Sequence, residues 1–317
     1  MVKGGVFYLG KDKYSIFMAN LATLLALESY TPEKIDTDID IKEECIEIEV
    51  DQPKPKAKAI KVDKPEVSGP VKNLPWTDDE QFLKAQEENN TSILIAAYCA
   101  VLIDPLPGEE YNVKLAANSL TGSVVDSGEV FSQNQTIGPY TKSRGYREGA
   151  SYAGVNIVQT EGGGVCKIAS TLYNVAILSD LDIVERHNHS MPVNYVPYGQ
   201  DATVAYGAKD FKFKNSTEDP ILIWAQVLGN RLYIGFYGQE KPPEIEWNHR
   251  IINKVEAPKY YKPNPELKEE EKIIIKGIDG ATVESTIRIR YEDGKMETKN
   301  LGISHYNPMP HIIEVKE

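Results

Sequence analysis

The chain has 317 residues, of which 41% are hydrophobic and 26% are charged, an ordinary globular balance that as a length prior suggests about two domains. Its 35 Lys and Arg stand against 47 Asp and Glu, and the net charge of −12 argues against nucleic acid or an anionic membrane surface as a general partner, since both repel an acidic protein. The three cysteines, Cys45, Cys99 and Cys166, form no CxxC pair, which excludes a cysteine-rich zinc module, and no cofactor or metal is predicted.

Residues 1–50 are predicted to form an N-terminal segment. The apolar run 16–27 has the length of a signal-peptide core, but no small-residue cleavage site follows it, so a buried amphipathic helix is the alternative. The alternation of apolar residues with acids over 38–50 predicts a strand. Residues 51–75 are rich in proline and lysine and are predicted to be an extended linker. No other segment could span a membrane, so no integral membrane domain is predicted.

Residues 76–238 are predicted to form a central domain. Thr77 and Glu80 have the spacing of a capping box and predict the start of a helix. The apolar stretch 92–103 fits a buried strand or a buried helix, because periodicity does not distinguish them. Residues 112–120 predict a short amphipathic helix. In an oxidising compartment Cys45 and Cys99 could pair and leave Cys166 free.

A glycine-rich stretch leads into the third cysteine. Residues 132–164 contain many glycines and hydroxyl side chains and predict loops that shape a surface, with Tyr140, Tyr146 and Tyr152 as walls of a substrate groove. Three glycines, ending at Gly164, then precede Cys166, where apolar residues at helical spacing predict a helix over 166–178. A thiol in the first turn of a helix loses its proton more easily than a free cysteine, which favours a nucleophile. The alternative is a glycine turn followed by a small buried cysteine.

The sequence after residue 180 changes to short β-rich segments separated by turn residues. They are predicted to form a meandering antiparallel sheet, with strands at 183–189, 193–196, 202–206, 211–214, 221–227 and 231–237. A cysteine-bearing helix packed on this sheet is an α+β fold. Residues 239–271 are predicted to be a second linker, and 272–317 a small C-terminal β domain.

A cysteine nucleophile needs a base, and the base needs an orienting group. His187 and His189 would face the same side of a strand, and His189 is preferred as the base for Cys166, with Asp201 fixing its tautomer. By fold-level analogy this is the layout of transglutaminase- and papain-like enzymes. The order along the chain is cysteine, then histidine, then aspartate.

Four structural alternatives stand beside this triad. Asp201 could cap a turn. Glu185 and Arg186 are predicted to form a structural ion pair. Cys166 could bind zinc with the two histidines, although a fourth ligand at familiar spacing is missing. Lys167 could be solvated, or could lower the pKa of Cys166 further.

At these residues the chain resembles the VanW family. The resemblance covers about residues 110–237. The segments that carry it are Gly122, Gly128–Asn134, Gly138-Pro139, Gly145-Tyr146, Gly162–Cys166, Ser170–Tyr173, Glu185–Ser190, Tyr195–Pro197, Asp201–Val204, Asp210 and Asn215. The secondary site candidates Gly164, Ser170, Thr171, Glu185, Arg186 and His187 lie in these motifs. The family usually has Gln-x-Ser-Ser after the cysteine, where this chain has Lys167-Ile168-Ala169-Ser170.

The resemblance implies a setting in the bacterial cell envelope, because the family takes its name from an accessory protein of vancomycin-resistance clusters, but it supplies no reaction. Together with the triad it leads to the hypothesis of a cysteine-dependent acyl-transfer or amide-cleaving enzyme acting on cell-wall peptide. Cys166 would attack the carbonyl, His189 would move the proton, and backbone N–H groups at the start of the Cys166 helix would hold the oxyanion. The alternative is a non-catalytic peptidoglycan- or peptide-binding module in which Cys166 is structural.

Overall fold

The computed structural model describes residues 61–103, 108–153 and 156–316, without the side chains of 152–157. The helix and strand expected within residues 1–50, Cys45 and the first half of the predicted linker therefore lie outside the described residues. The helices are α1 (Glu80–Asn89), α2 (Glu109–Leu120), α3 (Gln133–Ile137) and α4 (Cys166–Leu178). None of these helices, in the ranges just given, has the length and apolar character needed to cross a membrane.

Sixteen strands are found in the described ranges. In the N-terminal half and centre they are β1 (Gly69–Pro70), β2 (Ile93–Val101), β3 (Ser123–Val125), β4 (Val130–Ser132), β5 (Glu148–Ala153), β6 (Asn156–Glu161), β7 (Asp182–Glu185), β8 (Lys212–Lys214), β9 (Ile221–Leu228) and β10 (Arg231–Gly238). The C-terminal strands are β11 (Glu244–Val255), β12 (Lys259–Pro263), β13 (Glu271–Ile275), β14 (Gly280–Arg290), β15 (Met296–Tyr306) and β16 (His311–Val315).

A five-stranded antiparallel sheet in the order β1-β2-β10-β9-β3 is the centre of the fold. Alternate residues of its strands enter two cores: Tyr98 and Ala100 of β2 face one side, whereas Ala97 and Cys99 face the other. Helix α4 packs on β2 and β10, and α2 packs on β9. Because both faces are covered, β2 is a continuous apolar run, which is why its sequence fitted a helix equally well.

The opposite face of the sheet is covered by α1 and the segment before it. Phe82 of α1 lies 5.2 Å from Trp224 and 4.8 Å from Tyr237, measured between ring centroids. The helix prediction is confirmed, but the cap differs: Asp79 accepts from the N–H groups of the first turn, while the Thr77 hydroxyl donates to a backbone carbonyl. Residues 61–75, the described part of the predicted linker, include β1 and two buried side chains, Val71 and Leu74.

The predicted single meander is two sheets and a loop. Strands β9 and β10 belong to the central sheet, whereas β7 and β8 pair with β4 in a separate three-stranded sheet. The strands expected at 193–196 and 202–206 are absent from this described part of the chain, where residues 186–206 carry one isolated bridge at Ala205. Side chains of α4 hold this loop by hydrogen bonds, so its backbone needs no neighbouring strand.

The C-terminal strands form two small sheets, β11-β14-β15 and β12-β16-β13, and only the β12–β16 pair is parallel among the strand pairs described. Residues 239–271, expected to be a linker, contain β11 and β12. Ile245 and Trp247 of β11 pack against the main core, whereas Glu244, Glu246 and Asn248, which alternate with them, are charged or polar. The fold is thus mixed α and β, with mostly antiparallel sheets and few helices; domain boundaries remain a prediction.

Candidate functional site

The glycine stretch makes a tight turn against two other parts of the chain. Gly162 and Gly164 have φ angles of +73° and +103°, which residues other than glycine rarely adopt. A Cβ atom on Gly162 would lie 2.4 Å from the Cβ of Tyr140, and one on Gly164 would lie 2.7 Å from the Cγ of Glu109. The turn therefore leads directly into α4 and packs closely against Tyr140 and Glu109. Both of these residues line the cleft that is described below.

Cys166 is the first residue of α4, as the sequence predicted. Its Sγ lies 3.4 Å from the Thr203 hydroxyl and accepts from the N–H of Val204 at 3.5 Å. His189 is a further neighbour of the thiol: its imidazole lowers the pKa of Cys166, and both side chains line the same cleft. The cysteine at the helix N-terminus thus faces residues from the 186–206 loop.

His189 is held on its other side by Asp201. The Asp201 Oδ2 atom lies 2.7 Å from His189 Nδ1 and accepts from the backbone N–H of His189, also at 2.7 Å. Because Nδ1 is taken by the carboxylate, Nε2 is the nitrogen left for the Cys166 thiol. The three residues predicted as a triad are brought together in the predicted order, although His189 lies on a loop and not on a strand.

The other carboxylate oxygen of Asp201 also has two donors. Oδ1 accepts from the Tyr306 hydroxyl at 2.5 Å and from Nη2 of Arg186 at 3.1 Å. Asp201 is 1% exposed, so a bare charge there would be costly, and the four donors compensate for its burial. Asp201 is therefore a buried anchor for the His189 ring.

These contacts set the charge of the pair. Burial raises the pKa of the Cys166 thiol, but the neighbouring His189 imidazolium, together with the hydrogen bonds from Thr203 and Val204, outweighs it and lowers that pKa from 9.0 to about 7. For His189, burial lowers the pKa, while the hydrogen bond to Asp201 and the neighbouring Cys166 thiolate raise it from 6.5 to about 9. Burial likewise raises the pKa of Asp201, and His189 and Arg186 together hold it below 3.8. Between about pH 7 and about pH 9, Cys166 is therefore a thiolate and His189 an imidazolium, and the two titrate as one unit.

Helix α4 also fixes the loop that carries Asp201. The buried Ser170 hydroxyl accepts from the N–H of Ala202 at 2.9 Å and donates to its carbonyl at 3.0 Å. Asn174, one turn further along, donates to the carbonyl of Gln200 at 2.8 Å. Both residues thus clamp the backbone on each side of Asp201. Thr171, a secondary candidate, bonds only within its helix, to the carbonyl of Lys167.

A cleft of about 580 Å³ opens onto the thiol. Cys166 and His189 line it, together with Tyr140, Tyr195, Tyr206 and the ion pair Glu109–Lys167. Of the three tyrosines predicted as groove walls, Tyr140 lines this cleft. Tyr146 is buried instead, with its hydroxyl donating to the carbonyl of Ile137 at 3.0 Å, and the side chain of Tyr152 lies outside the described residues.

Several residues have other partners than the sequence suggested. Glu185 and Arg186 do not pair with each other, because neighbours on an extended chain point to opposite sides. Glu185 binds Lys212 at 2.8 Å and His187 at 3.0 Å, while Arg186 binds Asp201. His187 is thereby turned away from the cysteine. In the described ranges, no group of three His, Cys, Asp or Glu side chains could hold a metal ion.

One expectation for the start of α4 is corrected and another is narrowed. Lys167 is not solvated but 7% exposed, and its ammonium pairs with Glu109 in the cleft wall. The N–H groups of Val165, Lys167 and Ile168 donate to carbonyls within the turn, so the predicted oxyanion donor at the helix start is the N–H of Cys166 itself. The donors that face Sγ come from the loop, at Thr203 and Val204.

The sequence comparisons place this site in a known family. Residues 108–237 match the family model described as VanW like protein, and this range contains the cysteine, the histidine and the aspartate. This part of the chain belongs to the VanW-like family. The matched range, called the VanW-like domain below, ends within β10, so the C-terminal strands that include Tyr306 lie beyond it.

Two relatives match this chain over stretches of similar length. The uncharacterized protein YoaR of Bacillus subtilis (strain 168) is 38% identical over 130 residues, 41% of this chain and 43% of that protein. The vancomycin B-type resistance protein VanW of Enterococcus faecalis (strain ATCC 700802 / V583) is 30% identical over 139 residues, 42% of this chain and 50% of that protein. The matches therefore span half or less of the length of either relative.

Two solved structures match about a quarter of the chain. The G5 domain of an IgA1 protease is 21% identical, with a TM-score of 0.16, and the match covers 25% of this chain and 95% of that one. The HP0197-G5 structure is 16% identical, with a TM-score of 0.14, covering 23% of this chain and 99% of that one.

Proposed function

We propose that this chain is a cysteine-dependent acyl-transfer or amide-cleaving enzyme that acts on cell-wall peptide. The observation that carries the proposal is the His189–Asp201 pair, joined at 2.7 Å, beside Cys166, with Cys166 and His189 in the wall of one cleft. A nucleophile, a base beside it and a group that orients the base are the parts that covalent catalysis requires.

The arrangement fits a papain-like reaction by its roles. Cys166 comes from the first turn of a helix packed on an antiparallel sheet, and the histidine and aspartate come from a loop that this helix clamps. The lowered pKa of Cys166 supports the proposal further, because the thiolate, and not the thiol, is the nucleophile. The likeness is one of geometry and roles.

In the first step the Cys166 thiolate attacks a peptide carbonyl carbon, and a C–S bond forms while the carbonyl electron pair moves to oxygen. The Thr203 hydroxyl and the Val204 N–H, which lie beside Sγ, donate to this oxyanion. The intermediate collapses as the C–N bond breaks, and the His189 imidazolium gives its proton to the leaving amine. Asp201 keeps the ring oriented for that transfer.

In the second step water, or the amine of another peptide, attacks the thioester carbonyl. His189 takes a proton from the attacking group, the C–S bond breaks, and the electron pair returns to sulfur as thiolate. Attack by water gives hydrolysis and attack by an amine gives acyl transfer, so the molecule that can enter the cleft decides which product forms.

The substrate class and the location rest on the similarity to a relative named for vancomycin B-type resistance. We therefore assign the activity to the cell envelope and to peptides of the cell wall. The acidic net charge of −12 is compatible with a peptide partner and unfavourable for nucleic acid.

The test is turnover of purified peptide-bearing peptidoglycan fragments, with and without an added amine acceptor, followed by mass spectrometry. The Cys166→Ala variant is expected to lose both hydrolysed and transferred products. The matched control is Cys99→Ala, which removes a fully buried thiol on the other face of the central sheet and should keep full activity. Equal turnover by wild type and Cys166→Ala would refute the proposal.

A different outcome would favour a binding module. If wild type releases no product but is retained on purified sacculi, and Cys166→Ala is retained equally, then the cleft binds peptide without chemistry and the cysteine is structural. The two measurements together separate catalysis from binding.

A further inference from the structure

We infer that Tyr306, which lies in the C-terminal strands beyond the VanW-like domain, is a positioning residue for the His189–Asp201 pair. The inference concerns the same site and rests on the function proposed above. It implies that residues 108–237 alone do not contain the whole support of the site.

The first observation is the contact itself. The Tyr306 hydroxyl donates to Asp201 Oδ1 at 2.5 Å, across a separation of 105 positions in the sequence. The same hydroxyl accepts from the N–H of Gly199 at 2.8 Å. One phenol therefore fixes both the carboxylate and the backbone two residues before it.

The second observation is that Tyr306 is itself held rigidly. It is buried, it pairs in register with Ala281 of β14, and its ring centroid lies 5.4 Å from that of Tyr198. Burial and the Asp201 carboxylate raise the pKa of Tyr306, so its hydroxyl keeps the proton that it donates. A rigid, protonated donor is what holding a carboxylate in one orientation requires.

The third observation is that the end of β15 follows the histidine loop over several residues. Ser304 accepts from Nη1 of Arg186 at 2.8 Å, and the carbonyl of His305 accepts from Asn188 at 2.9 Å. The N–H of Asn307 donates to the carbonyl of Ser190 at 2.8 Å. Ser304 and Tyr306 thus both reach the Asp201 cluster, as alternate residues of a strand do.

The tyrosines packed around Cys166 and His189 do not interfere with a pH measurement on this site. Burial raises the pKa of Tyr173 to about 12, and it also raises the pKa of Tyr195. Cys166 and His189 are therefore the groups of this cluster that titrate between about pH 6 and pH 9.5.

The test compares two variants that each remove one hydroxyl from the same pair of contacting rings. Tyr306→Phe removes the donor to Asp201, whereas Tyr198→Phe removes a donor to the carbonyl of Asp279 and leaves Asp201 untouched. The readout is the rate of Cys166 alkylation by iodoacetamide across pH, measured on the full chain. Thermal unfolding of both variants checks that each is folded.

Tyr306→Phe is expected to raise the midpoint of the alkylation profile by up to about one pH unit, because an Asp201 that lacks this donor orients His189 less firmly and the imidazolium then stabilises the Cys166 thiolate less. Tyr198→Phe should keep the wild-type midpoint. Equal midpoints for Tyr306→Phe and wild type, or equal shifts in both variants, would overturn the inference. Substrate turnover plays no part in this readout, so a wild-type chain without turnover ends the proposed function without deciding this comparison.

Discussion

The charge state of Cys166 depends on one neighbour, and replacing that neighbour gives a sharp prediction. His189→Gln removes the imidazolium but keeps an amide that can still bind Asp201. Burial, the largest influence on Cys166, would remain and would raise its pKa, with only the Thr203 and Val204 hydrogen bonds left to lower it. We therefore expect the pKa of Cys166 to move from about 7 to at least its ordinary value of 9.0.

The size of the effect follows from that shift. At pH 6 the thiolate fraction falls about 90-fold, while the more basic thiolate is about 8-fold more nucleophilic at a Brønsted coefficient of about 0.45, so alkylation slows about 10-fold. At pH 9.5 both thiols are largely ionised, and the variant should react about 6-fold faster than wild type. The two rate profiles therefore cross between these pH values.

The assay is alkylation by iodoacetamide at fixed times, with each cysteine followed as its own peptide by mass spectrometry. Cys99 serves as an internal control for folding, because burial raises its pKa to about 11 and it is not exposed to reagent. His187→Gln is the matched variant, since His187 lies two residues away and bonds to Glu185 instead of the cysteine. It should leave the Cys166 profile unchanged.

An unshifted midpoint in His189→Gln would refute the reasoning, because it would mean that the imidazole does not set the thiolate fraction. Equal shifts in the His189 and His187 variants would refute it as well, since the cause would then be a general change in the loop. Crossing profiles in the His189 variant alone are the expected result.

Two further predictions concern the stability of the site. Lys167→Met should lower the free energy of unfolding in urea by about 3 kcal/mol, because the half-buried Glu109 carboxylate loses its lysine partner, and adding Glu109→Gln should recover part of that loss; no recovery would show that the pair is not coupled. Asp201 has a pKa below 3.8, so the stability that it contributes is present above that value and is lost as pH falls through the lowered pKa. Asp201→Asn should therefore flatten the acid limb of unfolding free energy against pH, and an unchanged limb would contradict the assigned pKa.

The sequence by itself determined the local features of this protein. Apolar residues at helical spacing fix α4, the glycines with left-handed backbone fix the turn before it, and together they place Cys166 at the helix start. The pattern after residue 180 also carried enough chemistry to name His189 and Asp201 as partners. These features are short-range, so period and residue type are sufficient to predict them.

Only the tertiary structure decided how distant parts meet. Period-two alternation suggested that His187 and His189 face the same side, but the loop is irregular, and each ring follows its own carboxylate. Glu185 and Arg186 bind different partners, and Tyr306 donates to Asp201. Both outcomes depend on strands from elsewhere in the chain that pack beside these residues. A residue's partner 105 positions away leaves no local pattern, because the contact exists only once β15 has been placed beside the loop.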